Sequence, residues 1–371
     1  MEDYRLNEQF IGARLSDVVR HVFAVQDVTL GQEGDKRGRT VRLRGTLRVE
    51  PARAYESIAP RFRKLGYTAF LRREGGLDVV LAVPGVITPS PSRVWINVVL
   101  FIATVLSTLF VGALWAVEEP GGPFPNPLAG WPFAVSLMSI LLAHEMGHYL
   151  AARYYDLPST LPYFIPMPYS LLGTFGAFIS MKAPVKNRRA LLAIGAAGPL
   201  AGFVLAVPIL ILGLSLSEVT FIPLDEPVLM EGNSLLYAGI KILLFGRFLP
   251  SGGEDVLLHP VALAGWAGLL VTFLNLLPAG QLDGGHIIYA LLGEHAKRLT
   301  WPIIIGLMGM GLLWNGWLLW AALLFFLGRR HTMLLDDITP LDGPRRAIAI
   351  LVLIIFILIF CPVPMTIVGG G

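Results

Sequence analysis

The feature that most constrains this chain is a series of long apolar segments with very little charge. About 20 apolar residues are enough for a helix to cross the hydrocarbon core of a bilayer. The segments that suit such helices are 95–117, 131–152, 190–216, 260–278, 301–327 and 348–360. Only 15% of the residues are charged and 54% are hydrophobic, whereas a soluble domain carries about 25% charge. The sequence therefore predicts a polytopic α-helical membrane protein.

The number of crossings depends on two of the less regular segments. Residues 301–327 form either one tilted helix or a hairpin broken at Asn315-Gly316, and 235–249 is only moderately apolar because it contains Lys241. A hairpin would keep the arginines that follow on the same side as the other basic loops, as the positive-inside rule favours. Those arginines are Arg329, Arg330, Arg345 and Arg346. We expect about six transmembrane helices, with seven or eight as alternatives, and we expect 235–249 to be interfacial or partly inserted.

The N-terminal part has a different character from the rest. Residues 1–93 hold 16 of the 29 Lys and Arg residues. A strand at 41–49, a helix at 51–65 and two strands at 67–72 and 77–83 follow from the spacing of their apolar residues. We therefore expect a small α+β soluble domain. Its basic residues carry no nucleic-acid-binding signature, so we expect no nucleic-acid partner.

The predicted boundaries follow from this change in composition. A Pro- and Ser-rich segment at 85–94 reads as a linker. It separates the N-terminal domain, 1–84, from a membrane domain at 95–363. Because the N-terminal domain is basic, the positive-inside rule places it on the cytoplasmic side.

The strongest chemical motif lies in the second apolar segment. His144, Glu145 and His148 form H-E-x-x-H. On a helix, two histidines at i and i+4 share one face and can bind one zinc ion, and the adjacent glutamate can act as a general base. Ionisable residues inside an apolar span are costly, which favours a functional role. The sequence therefore predicts a metal site here.

A catalytic zinc site needs a third protein ligand. Asp283 is the favoured candidate because it follows the fourth apolar segment, where Pro278 and Gly280 break the helix. Two crossings separate it from His148, so both motifs emerge on the same side of the membrane. His286 is a weaker rival. The other histidines that remain open are His21, His259, His295 and His331.

Two further features belong near this site. Asn275 lies about two turns before Asp283 in an apolar segment; it is either a helix–helix hydrogen-bonding residue or a donor to the oxyanion of a tetrahedral intermediate. Residues 173–180 are β-prone and contain Gly173 and Gly176. They predict either a plain loop or a re-entrant strand whose edge binds an unwound substrate segment. The substrate-binding candidates are Gly173, Thr174, Phe175 and Gly176.

Taken together, these residues resemble the site-2 protease family, the intramembrane zinc metalloproteases. The family patterns H-E-x-x-H and N-x-x-P-x-x-x-L-D-G match His144, Glu145, His148, Asn275, Pro278, Leu282, Asp283 and Gly284. Residues 173–179 and 196–199 are similar to the plastid and prokaryotic branch that lacks a PDZ domain. That branch carries G-N-L-R, and the corresponding Gly45-Thr46-Leu47-Arg48 has Thr in place of Asn. The likeness covers about residues 40–360.

The resemblance implies hydrolysis of peptide bonds in transmembrane protein substrates, within or near the lipid bilayer. It implies one Zn²⁺ per chain held by His144, His148 and Asp283, with Glu145 and Asn275 as catalytic residues. We expect a multi-pass protein of a prokaryotic cell membrane, with the site opening on the cytoplasmic side. The alternatives are a catalytically inactive membrane scaffold or chaperone of the same fold and a zinc transporter. The intact Glu145 disfavours a scaffold, and the single cluster of ligands disfavours a transporter.

Overall fold

The computed structural model describes residues 2–31, 40–116, 126–223, 225, 227–327 and 333–369. The chain forms two compact units. Unit 1 consists of Met1–Ser90, Lys182–Leu191 and Thr332–Gly343, and unit 2 consists of Pro91–Met181, Leu192–His331 and Pro344–Gly371. The domain boundaries expected from composition, 1–84, 85–94 and 95–363, stay a prediction.

The helices and strands are numbered separately along the chain. The helices are α1 (Glu2–Val19), α2 (Pro51–Lys64), α3 (Val94–Trp115), α4 (Trp131–Tyr154), α5 (Arg188–Ser215), α6 (Leu235–Phe245), α7 (Pro260–Asn275), α8 (Asp283–Leu292), α9 (Thr300–Met310), α10 (Gly316–Leu327) and α11 (Gly343–Ile359). The strands are β1 (Phe23–Leu30), β2 (Val41–Leu47), β3 (Tyr67–Glu74), β4 (Leu77–Pro84), β5 (Tyr163–Pro166), β6 (Thr174–Phe178), β7 (Val185–Asn187), β8 (Glu218–Phe221), β9 (Val228–Glu231), β10 (Glu254–Leu257), β11 (Leu334–Asp336) and β12 (Met365–Val368).

Unit 1 is built on a six-stranded sheet with the strand order β1-β2-β4-β3-β11-β7. The helix α2 covers it because Ala54, Ile58 and Phe62 recur at helical spacing and are buried. Gly45 in β2 is required for the pairing with β1, since a Cβ atom there would lie 1.9 Å from the carbonyl oxygen of Ala24. The prediction of an N-terminal α+β region is confirmed.

Among the described residues, three helices are long and apolar enough to cross a membrane: Val94–Trp115, Pro127–Tyr154 (α4 with a preceding 3-10 turn) and Arg188–Ser215. The other predicted spans contain the shorter helices α7, α9, α10 and α11. The 260–278 segment is helical only over the 16 residues of α7, because its Pro-containing end turns away from helical geometry. The structure thus supports a mostly helical membrane protein with three candidate spans, and the count of about six transmembrane helices is not confirmed.

The segment 301–327 is a helical hairpin. It forms α9 and α10, joined at 311–315, and the rings of Trp301 and Phe325 are 6.0 Å apart. The Asn315-Gly316 pair lies where the second helix begins, because these residues favour a break. Arg329 and Arg330, on which the choice of the hairpin depended, lie outside the described residues. The 235–249 segment contains the short helix α6, which ends at Gly246 in a left-handed conformation.

Small residues let the helices of unit 2 approach closely, as in other membrane helix bundles. A Cβ atom at Gly147 of α4 would lie 2.5 Å from the carbonyl oxygen of Ala197 in α5. A Cβ atom at Gly265 of α7 would lie 2.6 Å from the Cα atom of Leu210 in α5. The close contacts of α5 with α4 and α7 therefore bring three polypeptide segments to one place, where the candidate site lies.

Candidate metal centre

The helix α4 presents two histidines on one face. His144 and His148 are one turn apart, and their ring centroids are 4.9 Å apart. Only 3% of His144 and 7% of His148 is exposed. Two imidazoles with little access to water are suited to binding a metal ion in their neutral form.

The third side chain comes from the break between α7 and α8. Gly280 has a φ of +65°, and α8 begins at Asp283. The turn is tight, since a Cβ atom at Gly284 would lie 2.0 Å from the carbonyl oxygen of Leu276. As a result, Oδ2 of Asp283 lies 3.3 Å from Nε2 of His144 and 3.2 Å from Nε2 of His148.

These distances fit a single bound zinc ion. Zinc bonds of about 2.0–2.1 Å to nitrogen and oxygen, arranged as a tetrahedron, place neighbouring ligand atoms roughly 3.3 Å apart. The donor set of two imidazoles and one carboxylate also suits zinc. Among the described residues, His144, His148 and Asp283 are the group of His, Cys, Asp or Glu side chains that can hold a metal ion.

The helix α5 packs against the rings of both histidines. Nδ1 of His148 donates a hydrogen bond of 2.7 Å to the carbonyl oxygen of Ile194. This bond fixes the tautomer so that the lone pair of Nε2 faces Asp283. A Cβ atom at Gly198 would lie 2.1 Å from Nε2 of His148, and one at Gly202 would lie 3.1 Å from Nδ1 of His144. The two glycines therefore make room for the rings.

Ile194, Gly198 and Gly202 were not among the residues predicted for the site. The spacing of the two glycines by four residues in an apolar helix was the available signal, because it puts two positions without side chains on one face. The hydrogen bond to Ile194 had no sequence signal, since any residue has a carbonyl oxygen.

Two polar side chains accompany the three candidate ligands. Glu145 is buried, with 5% of its surface exposed, and it follows His144 directly on α4. Nδ2 of Asn275 lies 3.4 Å from Nε2 of His144 at the end of α7. The two predicted catalytic residues thus belong to the helices that carry the candidate ligands or the turn leading to them, and their roles stay predictions.

The other histidines that the structure describes do not join the group. His21 lies in unit 1, where its Nε2 is 2.6 Å from Oγ of Ser57. His259 accepts a hydrogen bond from the backbone of Val261 at the start of α7. His286 is buried one turn after Asp283, against Gly195. His295 lies in a 3-10 helix, and His331 lies outside the described residues.

The predicted substrate-binding residues form one side of a β-hairpin. The strand β6 pairs with β5, with Ala177 opposite Phe164. Gly173, with a φ of +74°, precedes the strand, and its carbonyl oxygen accepts a hydrogen bond of 2.5 Å from Oγ of Ser107 in α3. The hairpin is a sheet of two strands, and no other described strand pairs with β6.

The side chains of β6 differ in exposure. Thr174 is buried, and its Oγ1 donates a hydrogen bond of 2.9 Å to the carbonyl oxygen of Ile165. Phe175 is 65% exposed. Gly176 has a φ of +96°, and nothing lies within 4 Å of the place where its Cβ atom would be. Among the described residues, the space beside Gly176 at its Cβ position is therefore open.

Comparison with known proteins adds the family context. Residues 132–313 match the model of Peptidase family M50. The probable zinc metalloprotease EGY2, chloroplastic, of Oryza sativa subsp. indica is 33% identical over 337 residues, which cover 86% of this chain and 61% of the relative. The protein of the same name from Arabidopsis thaliana is 34% identical over 347 residues, covering 89% and 61%.

A third relative, the probable zinc metalloprotease EGY1, chloroplastic, of Arabidopsis thaliana, is 32% identical over 308 residues, covering 74% of this chain and 55% of the relative. The chain spans about three fifths of the length of these curated relatives. No solved structure matches it.

The relatives correct one expectation and support another. The expected location in a prokaryotic cell membrane is wrong, because these relatives are chloroplastic proteins of plants. The names of the relatives specify zinc, which agrees with the donor set of the candidate site. The match over 132–313 includes His144, Glu145, His148, Asn275 and Asp283. These motifs and relatives identify residues 132–313 as a Peptidase family M50 (site-2 protease) domain.

Proposed function

We propose that the chain is an intramembrane zinc metalloprotease that hydrolyses peptide bonds of transmembrane protein substrates within or near the bilayer. The observation that carries the proposal is the meeting of His144, His148 and Asp283 beside the buried Glu145. The names of the relatives, probable zinc metalloproteases, support it. Their chloroplastic location supports a plastid membrane as the place of action.

In this mechanism His144, His148 and Asp283 hold one zinc ion per chain. When bound, the ion supplies a Lewis acid for the carbonyl group of the scissile bond. Glu145 takes a proton from the attacking water and delivers it to the nitrogen of the leaving amine. Nδ2 of Asn275 donates a hydrogen bond to the oxygen on which negative charge develops.

The substrate must present an extended segment, because the peptide bonds of a helix are shielded by neighbouring turns. The open edge of β6 provides backbone groups with which an unwound segment can pair. No other described strand pairs with β6, which supports its outer edge as the place of pairing. Gly173, Thr174, Phe175 and Gly176 are then the substrate-binding residues.

We further propose that α7, the α9–α10 hairpin and α11 also lie within the bilayer. With α3, α4 and α5 this gives five crossings if the hairpin is re-entrant and seven if both of its helices cross, on either side of the predicted total of about six. The helices α7 and α11 have 16 and 17 residues, a length of roughly 24–26 Å at 1.5 Å per residue. Such a length is somewhat short of a ~30 Å hydrocarbon core. Thinning of the bilayer and snorkelling side chains accommodate a difference of this size.

The test is a comparison of three purified full-length proteins in lipid vesicles: wild type, Glu145→Gln and Glu218→Gln. Glu218 is an exposed residue of β8 and provides a matched control. We expect wild type and Glu218→Gln to bind about one zinc per chain and to cleave a membrane-spanning polypeptide. We expect Glu145→Gln to bind zinc without cleaving it.

Cleavage by Glu145→Gln at the wild-type rate would overturn the mechanism. Zinc binding without cleavage by any of the three proteins would instead favour the scaffold or chaperone alternative. The comparison therefore separates the metal site from the activity assigned to it.

A further inference from the structure

A second site lies in unit 2, at the other end of the helices that carry the metal centre. A cavity of about 200 Å³ is lined mostly by apolar side chains, among them Trp115 at the end of α3 and Trp266 in α7. Two carboxylates, those of Glu231 and Asp255, also line it. The cavity thus combines apolar walls with a negatively charged patch.

The charges at this patch are not balanced. Lys241 is fully buried, and its Nζ lies 3.2 Å from Oδ1 of Asp255 and 3.4 Å from Oε1 of Glu231. Oη of Tyr237 donates a further hydrogen bond of 2.7 Å to Glu231. Two carboxylates face one ammonium, so the cluster carries one negative charge when both carboxylates are ionised. Burial raises the pKa of Glu231, and a cation that enters the cavity favours the charged form of this carboxylate.

The cavity is connected to the proposed substrate-binding strand. Leu171, in the turn between β5 and β6, is one of its lining residues. Its carbonyl oxygen accepts a hydrogen bond of 3.1 Å from Nε1 of Trp115. From Leu171 the chain continues through Thr174 to Ala177, six residues away. The helix α3 runs alongside: Trp115 contacts Leu171 and Phe101 contacts Phe164, opposite Ala177. These two positions of α3 are separated by roughly 21 Å at 1.5 Å per residue.

The far end of β6 lies at the depth of the metal centre. A Cβ atom at Gly112 of α3 would lie 3.0 Å from Cβ of Phe133 in α4, which fixes where the two helices meet. From this contact, His144 on α4 and Phe101 on α3 are each roughly 16 Å along their helices. The ring of Phe101 is 5.2 Å from that of Phe164, which lies opposite Ala177 in the hairpin.

Resting on the proposed function, we infer that this cavity is a specificity pocket for a basic side chain of the substrate, about six residues from the scissile bond. A strand paired with β6 and cleaved at the depth of Ala177 extends to Leu171 and hence to the cavity. A lysine or arginine side chain has an apolar stem that suits the walls and a cationic end that complements the negative cluster. Its charge brings the cluster to neutrality.

The test measures binding to the full-length Glu145→Gln protein in lipid nanodiscs, so that no cleavage is required. The probes are fluorescent alanine–leucine transmembrane peptides with one lysine at successive positions, each matched by a peptide with norleucine at that position. We expect the best lysine peptide to bind about tenfold more tightly than its norleucine partner, as for a single favourable charge pair in a desolvated site.

Two further variants separate charge from folding. Adding Glu231→Gln removes the excess negative charge, and the lysine preference should disappear. Adding Glu231→Gln together with Lys241→Met restores the excess charge through Asp255, and the preference should return. Both changes keep the side-chain volume nearly constant, so a loss that the second variant reverses is not a loss of folding.

The proposal is overturned by equal binding of lysine and norleucine peptides, by a preference that persists with Glu231→Gln, or by the absence of saturable binding of both peptides. Failure of the proposed protease activity shows separately, as a wild-type protein that cuts none of the peptides. In that case a lysine preference that follows the cluster charge still establishes a cation-binding pocket.

Discussion

Gly198 of α5 lies so close to His148 of α4 that a Cβ atom at the glycine would be 2.1 Å from Nε2 of the histidine. Nε2 is the atom that faces Asp283 at 3.2 Å. The glycine therefore determines whether the ring can occupy the position from which it would bind a metal ion. This contact makes α5 a part of the candidate metal centre although it contributes none of the three ligands.

Gly198→Ala should reduce zinc affinity, because the new methyl group forces the His148 ring out of place. Mutation of the residues that support a metal ligand lowers metal affinity roughly 10–100-fold. Displacing the ligand itself should lower zinc affinity by at least that factor. The matched control is Gly306→Ala in the interior of α9, where nothing lies within 4 Å of the added atom. Zinc titration of both variants, monitored by metal analysis after dialysis, is the measurement. Equal affinities for the two variants would contradict the assignment.

Asp283→Asn should reduce zinc binding further while leaving the fold intact. The amide keeps the size of the side chain, but it lacks the negative charge that faces both histidines. Zinc affinity should fall on the order of 100-fold or more, since mutating a residue that only supports a ligand lowers metal affinity by up to that factor. Asp156→Asn is the control, because Asp156 is exposed and its positive φ of 54° is compatible with asparagine. Full zinc occupancy in Asp283→Asn would remove this residue from the ligand set.

The proximity of His144, His148 and Asp283 was predictable from sequence because it depends on spacing. Two histidines at i and i+4 share a helix face, and Pro278 and Gly280 predict the helix break that positions Asp283. The strands β7 and β11 were not predictable. Each has three residues and lies in a segment distant from the N-terminal strands that complete its sheet. Strands of this length have no periodicity of their own, so only tertiary pairing defines them.

The ends of the membrane helices were also only partly predictable from sequence. The composition predicts apolar segments well, but not where helical geometry ends. The break between α9 and α10 followed from Asn315-Gly316, whereas the end of α7 at Asn275 lies three residues before Pro278 and shortens the predicted span. Local breakers such as Pro278, rather than hydropathy, determine such ends.

Thr174→Val should weaken substrate binding more than catalysis. Oγ1 of Thr174 donates to the carbonyl oxygen of Ile165 and accepts a hydrogen bond of 3.0 Å from the backbone N–H of Gly176. Loss of these two hydrogen bonds should destabilise the local structure of the strand by about 1 kcal/mol per bond. We expect KM for a membrane peptide to rise several-fold with kcat nearly unchanged. Thr366→Val, at an exposed position of β12, is the control. A fall in kcat alone would argue against a role of this strand in binding.

Arg72→Met should release β11 from the sheet of unit 1. The guanidinium group donates hydrogen bonds to the carbonyl oxygens of Leu334, at 2.7 Å, and Leu335, at 3.4 Å. Hydrogen bonds from a charged donor contribute about 1.5–3 kcal/mol. We expect faster amide hydrogen exchange at 334–336 in Arg72→Met. Arg48→Met, at an exposed position, should leave that exchange unchanged. Equal exchange in the two variants would show that the backbone pairing alone holds β11.

Removal of zinc should destabilise the chain in a way that depends on Asp283. A ligand that binds only the folded state stabilises it by about 2.7 kcal/mol at a concentration of 100 Kd. We therefore expect the Tm of the wild type to fall when a chelator is added and to recover with excess zinc. Asp283→Asn should start near the chelated wild type and respond to neither treatment. The measurement is thermal unfolding in detergent at fixed lipid and protein concentrations. An identical response of the wild type and Asp283→Asn to zinc would place the stabilising metal elsewhere in the chain.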